Sequence, residues 1–86
     1  MPRYFFNIDD GGGPDTEGHE LRNVAEAKCE AVKLAGRVIC DDADRFWDTG
    51  DWNMTVTNED KLTLFSLTFF GTEGAARGPG FKRAAA

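Results

Sequence analysis

Eighty-six residues make one small domain, which at this length buries roughly 60–65% of the surface its unfolded chain exposes and leaves little room for an enclosed active site. The formal charge is −5, split into −7 over residues 1–70 and +2 over residues 71–86, where Arg77, Lys82 and Arg83 face Glu73. An acidic body repels phosphate backbones and its few basic residues are too sparse for a nucleic-acid footprint, so nucleic acid is excluded as a partner.

No apolar run approaches the roughly 18 residues of a membrane span; the longest, Leu62 to Phe70, is interrupted by Thr63, Ser66 and Thr68. The chain opens on a strand pattern with no charged region followed by an apolar stretch, so no leader and a cytoplasmic location in a bacterium-like cell are expected.

Taken in chain order, Tyr4, Phe6 and Ile8 alternate with Arg3, Phe5 and Asn7, which predicts a strand over about residues 3–9 with one wholly apolar face. Residues 10–15 form a Gly-rich turn, and Thr16 to Leu21 is a candidate short second strand weakened by Gly18. Asn23 followed by Glu26 has the spacing of a capping box, with the Glu26 side chain returning to the cap. At 100° per residue Val24, Ala27, Ala31, Leu34, Ala35, Val38 and Ile39 then share one face of a helix, and Glu26, Glu30, Lys33, Arg37 and Asp41 the other. Asp42 would fall at the centre of the apolar face, so the helix ends or turns near Cys40 or Asp41.

A polar connection follows, with room for a further helical turn that tucks Phe46 or Trp47 onto the core. Trp52 to Thr57 reads as a third strand with Trp52, Met54 and Val56 on one face. Asn58 to Lys61 is a hairpin loop. Leu62 to Phe70 is a fourth strand with Thr63, Phe65, Leu67 and Phe69 inward and Leu62, Leu64, Ser66 and Thr68 outward. The expected fold class is α+β: a two-layer sandwich of a small antiparallel sheet of three to four strands, in β-β-α-β-β order, covered on one face by a single helix. Residues 1–70 form the domain and 71–86 a flexible Gly/Ala-rich basic tail.

Chemistry has few candidates. Asp9, Asp10, Asp15, Glu17 and Glu20 surround the Gly-rich turn, but their spacing is not that of an EF-hand, and Asp with Gly is ordinary turn composition. Asp41, Asp42, Asp44, Asp48 and Asp51 form a second acidic group where the helix stops. Neither is read as a metal site, and no cofactor is expected. His19 is the single histidine and Ser66 the single serine, with no grouping of nucleophile, base and orienter in sequence. Gly11-Gly12-Gly13 lacks the Gly-Lys-Ser/Thr ending of a phosphate loop. Cys29 and Cys40, eleven residues apart on one helix, would stand about 16 Å apart against the roughly 5.5 Å a disulfide needs, so two reduced thiols at the border of the helix faces are expected.

The remaining lead is the sheet face turned away from the helix. Phe5, Leu62 and Leu64 point there and form the candidate interface, and self-association through sheet faces or edges is the expected use.

The opening Met-Pro-Arg-Tyr-Phe-Phe-Asn-Ile-Asp-Asp-Gly-Gly, the segment Asp15-Thr16-Glu17-Gly18-His19-Glu20-Leu21, the alanines at 27, 31 and 35 and the strand opening at Trp52 resemble a family of small uncharacterised bacterial proteins, a domain of unknown function. The resemblance covers about residues 1–70, implies the fold and carries over no catalytic or binding residue; Lys61 stands where that family commonly has glycine. A looser likeness is to the partial RNase-H-like domain of antitoxins, without the catalytic acids of RNase H or a DNA-binding extension. The expected function is a non-enzymatic interaction module that self-associates. The alternative is an antitoxin-like regulator that binds a small basic toxin, and a metal-dependent enzyme built on the aspartates ranks third.

Overall fold

The alternation of Tyr4, Phe6 and Ile8 with polar neighbours produces β1, Arg3–Ile8, in the computed structural model, which describes residues 1–9 and 13–75. Two residues, His19–Glu20, form β2; α1 spans Val24–Asp41, α2 Ala43–Thr49, β3 Asp51–Thr57 and β4 Thr63–Phe70. The strands make one antiparallel sheet in the order β2-β1-β3-β4. The expected inner rows hold: Phe6 lies opposite Val56 and Ile8 opposite Met54, while Val56, Met54 and Trp52 lie opposite Phe65, Leu67 and Phe69.

The helix covers that row. Ala27, Ala31 and Ala35 have no exposed surface, and Met54 and Val56 beneath are equally sealed. Burying side chains of that size contributes roughly 1.5–3 kcal/mol each, so this seam is the main source of stability in a chain with a thin core. Ile8, Leu34, Val38, Ile39 and Phe46 pack around it.

The start of α1 is as expected with one shift. Asn23 caps the helix by accepting the Glu26 backbone N–H at 2.9 Å. The Glu26 carboxylate returns not to Asn23 but to Arg22, one residue earlier, accepting its backbone N–H and its Nε–H at 3.0 Å each. The Arg22 backbone N–H first, and its guanidinium second, hold the Glu26 carboxyl below its ordinary range.

The expectation of a single helix is corrected: the order is β-β-α-α-β-β. Asp42, with φ −135° and ψ 54°, breaks the helical path, and its carbonyl then accepts the Phe46 N–H to start α2. Gly50 ends α2 in the left-handed region at φ +81°, donating its N–H to Phe46 O at 2.8 Å. Phe46 tucks onto the core while Trp47 stays 50% exposed. Three further differences are local. The second strand is only His19–Glu20, because the chain leaves the edge of β1 at Gly18. Thr63 is exposed rather than inward, because the β3–β4 register slips between Val56 and Thr57. Cys29 and Cys40 are both exposed rather than half-buried. The expected tail falls outside the described residues from 76 onward; before that, Gly71 closes the sheet by donating its N–H to Gly50 O at 2.9 Å.

The β3–β4 turn explains the place of Lys61. Lys61 N donates to Asn58 O at 3.0 Å, Lys61 itself sits at φ +66°, and the Asn58 side chain accepts the N–H groups of Asp60 and Leu62. This is a type I turn closed by a left-handed residue, the position at which glycine is unstrained and a side chain costs about 1 kcal/mol. Lys61→Gly therefore raises the melting temperature by about 3–5 °C, after allowance for the looser unfolded chain. A thermal melt that moves down instead would show that the Lys61 side chain stabilises the turn.

Candidate functional site

The loop from Gly13 to Gly18 crosses beside β1 and shapes the sheet surface on the side away from the helices. Its anchor is Asp15. One carboxylate oxygen accepts the Phe6 N–H at 3.1 Å, and the other accepts the N–H groups of Glu17 and Gly18 at 3.1 Å each. Asn7 completes the clasp, its Oδ1 accepting the Asp15 N–H at 2.9 Å. On the β2 side of β1, Leu21 N–H donates to Pro2 O at 3.1 Å and the Tyr4–His19 row follows, so the next outward-facing group in that series is Phe6 N–H. The short β2 does not reach it, and the Asp15 carboxylate takes the place of a strand carbonyl. Burial pushes the Asp15 carboxyl up, but the N–H groups of Gly18, Phe6 and Glu17, with the His19 charge, outweigh it and hold the group below its ordinary value of 3.8.

Gly18 makes this approach possible. It sits at φ +72°, and a Cβ there would lie 2.8 Å from Arg3 Cγ, 2.9 Å from the Phe5 ring and 3.0 Å from Tyr4 O. Arg3 fastens the same loop, donating to Glu17 O at 2.7 Å and pairing with Glu20 at 2.8 Å. The sequence signal for this arrangement was present, since Asp at the first and Gly at the fourth position is a turn signature. Its target, Phe6 N–H, was not visible.

Several cavities open on the described surface. A groove of about 600 Å³ on the outer sheet face runs between this loop and the β3–β4 turn, with Phe5, Asn7, Pro14, Thr57 and Lys61 among its walls. A smaller cleft of about 260 Å³ opens where α1, α2 and the sheet meet; Ile39, Phe46 and Trp52 line it with Asp9, Asp42 and Asp51. The second acidic group is therefore divided, with Asp42 and Asp51 at the cleft and Asp41, Asp44 and Asp48 on exposed helix surface. Among the described residues no three His, Cys, Asp or Glu side chains converge as a metal would require.

The candidate interface residues are spread over the sheet. Phe5 is half-buried in the outer groove beneath Gly18, on β1. Leu62 and Leu64 lie two strands away, 61% and 38% exposed, at the start of β4. Between them the outer face is polar: Asn7 Nδ2 donates to Thr55 O at 3.2 Å, and Thr68 Oγ1 donates to Asn53 Oδ1 at 2.9 Å. His19 sits on β2 with its ring 5.3 Å from that of Phe6, and Ser66 on β4, so the single histidine and the single serine stand at opposite edges of the sheet.

What sequence reasoning did not find is the edge of β4. It forms one end of the sheet, and no described strand pairs with its other side. Its eight residues, Thr63 to Phe70, include no charge and no proline, the two devices that usually protect an edge. Phe70, 76% exposed, is the most exposed large apolar side chain of the sheet. Among the described residues no helix is long and apolar enough to cross a membrane.

No curated protein and no solved structure matches the chain. A family model matches residues 3–71, from the first residue of β1 to the glycine that closes β4, and the chain belongs to that family, a domain of unknown function (DUF6894).

Proposed function

We propose that the chain is a small non-enzymatic protein-interaction module that self-associates through its sheet. The observation that supports it is the β4 edge, which no described strand covers: eight uncharged residues that include exposed Leu64 and are preceded by exposed Leu62. An unpaired row of backbone N–H and C=O groups beside apolar side chains is the surface that strand addition uses. The separation of His19 on β2, Cys29 and Cys40 on α1 and Ser66 on β4 supports the non-enzymatic part, because nucleophilic catalysis needs such groups within hydrogen-bond reach of one another. Phe5 belongs to the outer groove, so the interface is assigned to the β4 side, with Leu62 and Leu64.

Sedimentation velocity over a concentration series tests this. The expected result is a weight-average mass that rises from monomer toward dimer across the micromolar range, where small interfaces dissociate. A mass that stays monomeric up to about 1 mM would remove self-association from the reading.

A further inference from the structure

The hydrogen-bond phase of the sheet fixes which groups of β4 face outward. Gly71 N–H donates to Gly50 O at 2.9 Å, so that row is a bonded one. Bonded and non-bonded rows alternate in an antiparallel pair. Trp52–Phe69, Met54–Leu67 and Val56–Phe65 are therefore bonded rows, and Ser66, Thr68 and Phe70 direct their backbone groups away from β3.

A second feature points the same way. The inner side chains Phe65, Leu67 and Phe69 are only half-buried, whereas Tyr4 and Phe6 on β1 and Met54 and Val56 on β3 are buried, and the Lys28 ammonium of α1 stands 5.9 Å from the centre of the Phe65 ring. Edge bonds, the inner apolar row and the outer apolar groups all wait for an added strand.

We infer that the occupant is a second copy of this chain, with the two β4 strands antiparallel about a two-fold axis through Leu67, forming a continuous eight-stranded sheet. This rests on the self-association reading and specifies its register. Outward-facing groups must meet outward-facing groups, which restricts the central axis to residue 66, 67 or 68. An axis through Leu67 sets Ser66 against the partner's Thr68 in bonded rows. On the inner face it sets Phe65 against the partner's Phe69 and Leu67 against the partner's Leu67. On the outer face it brings Phe70 over the partner's Leu64. Aromatic cross-strand pairs of this kind favour one register over its neighbours. An axis at 66 faces Phe69 with Thr63 and sets Phe70 against Leu62, which lies outside β4, whereas an axis at 68 faces Phe65 with Gly71 and Phe70 with Ser66. The segment also suits two acidic chains, since each carries −5 but none of that charge lies in residues 63–70.

Cysteine cross-linking reads the register directly, in a background with both exposed natural cysteines replaced (Cys29→Ser, Cys40→Ser). Facing residues of a bonded row have Cα atoms about 5.5 Å apart, within disulfide range. Diagonal neighbours stand about 7–8 Å apart, outside it. A mixture of Ser66→Cys and Thr68→Cys proteins is therefore expected to give the mixed disulfide in roughly tenfold excess over either self-linked species. Self-linking of Ser66→Cys alone would move the axis to 66, and of Thr68→Cys alone to 68; either overturns the register while leaving self-association standing. Sedimentation of the background protein separates the remaining failures. A dimer with no cross-link overturns β4 pairing, and a monomer with no cross-link overturns the self-association reading as well.

Discussion

Asp15→Ala lowers stability by about 2–3 kcal/mol, which for a chain of this length is a drop in melting temperature of roughly 10–20 °C. The argument is a count of backbone donors. The carboxylate holds Phe6 N–H, Glu17 N–H and Gly18 N–H, and alanine leaves all three without an acceptor. Water can reach the exposed Glu17 group at little cost. The Phe6 group lies partly buried on the edge of β1, where an unmade bond to a charged acceptor costs most. Asp15→Asn keeps the shape but aims an amide donor at one of the N–H groups, and recovers less than half of the loss. Glu59→Ala, on exposed hairpin surface, is the matched control and should move the melt by less than about 3 °C. A similarly small shift for Asp15→Ala would mean that the loop stays in place without its carboxylate.

The same residue sets part of the acid response. Its folded pKa lies below the ordinary value of 3.8, so the native state binds this proton less readily than the unfolded chain does. The contribution is then fully present above the unfolded pKa and is lost as pH falls through the folded one. Between about pH 5 and pH 2 the parent protein therefore loses more stability than Asp15→Ala, and the two melting curves converge at the acid end. Parallel curves would mean that the carboxyl titrates alike in both states.

Which of these features could be read from sequence follows the range of the interaction. The inner rows Tyr4–Phe6, Trp52–Met54–Val56 and Phe65–Leu67–Phe69 and the face of α1 were legible, because a strand or helix repeats its orientation every 2 or 3.6 residues. Asn23 was legible as a cap because capping acts within one turn. The second helix was legible only as room for a further helical turn that tucks Phe46 or Trp47 onto the core, not as an element with its own ends. Its seven residues are mostly polar, and it is set by the break at Asp42 and the left-handed Gly50, both single-residue events with no period. The Asp15 clasp joins residues nine apart on different elements, and the strand order joins residues tens apart; neither leaves a trace in local pattern. For the site the consequence was direct. Phe5, Leu62 and Leu64 share an orientation in sequence, but only the order β2-β1-β3-β4 separates Phe5 from the two leucines and reveals β4 as the open edge.

The alanines of α1 test how closely the two layers meet. Ala31→Leu is expected to cost about 2–3 kcal/mol and to lower the melting temperature by at least 10 °C. Leucine is nearly as good a helix former as alanine, so the loss cannot come from propensity. It comes from three added carbons at a position with no exposed surface, above a sheet whose Met54 and Val56 are likewise sealed. The helix must then rise or rotate, and Ala27 and Ala35, one turn to either side, lose contact with it. Val32→Leu, one residue along and 53% exposed, adds one carbon to the outer side of the same helix and should shift the melt by no more than about 3 °C. Equal melts for the two variants would show that α1 rides loosely on the sheet. A loose helix would also leave β4 no more open than β1 or β3, whereas a helix pinned by its alanines over those two strands confines the uncovered apolar row to the strand with the free edge.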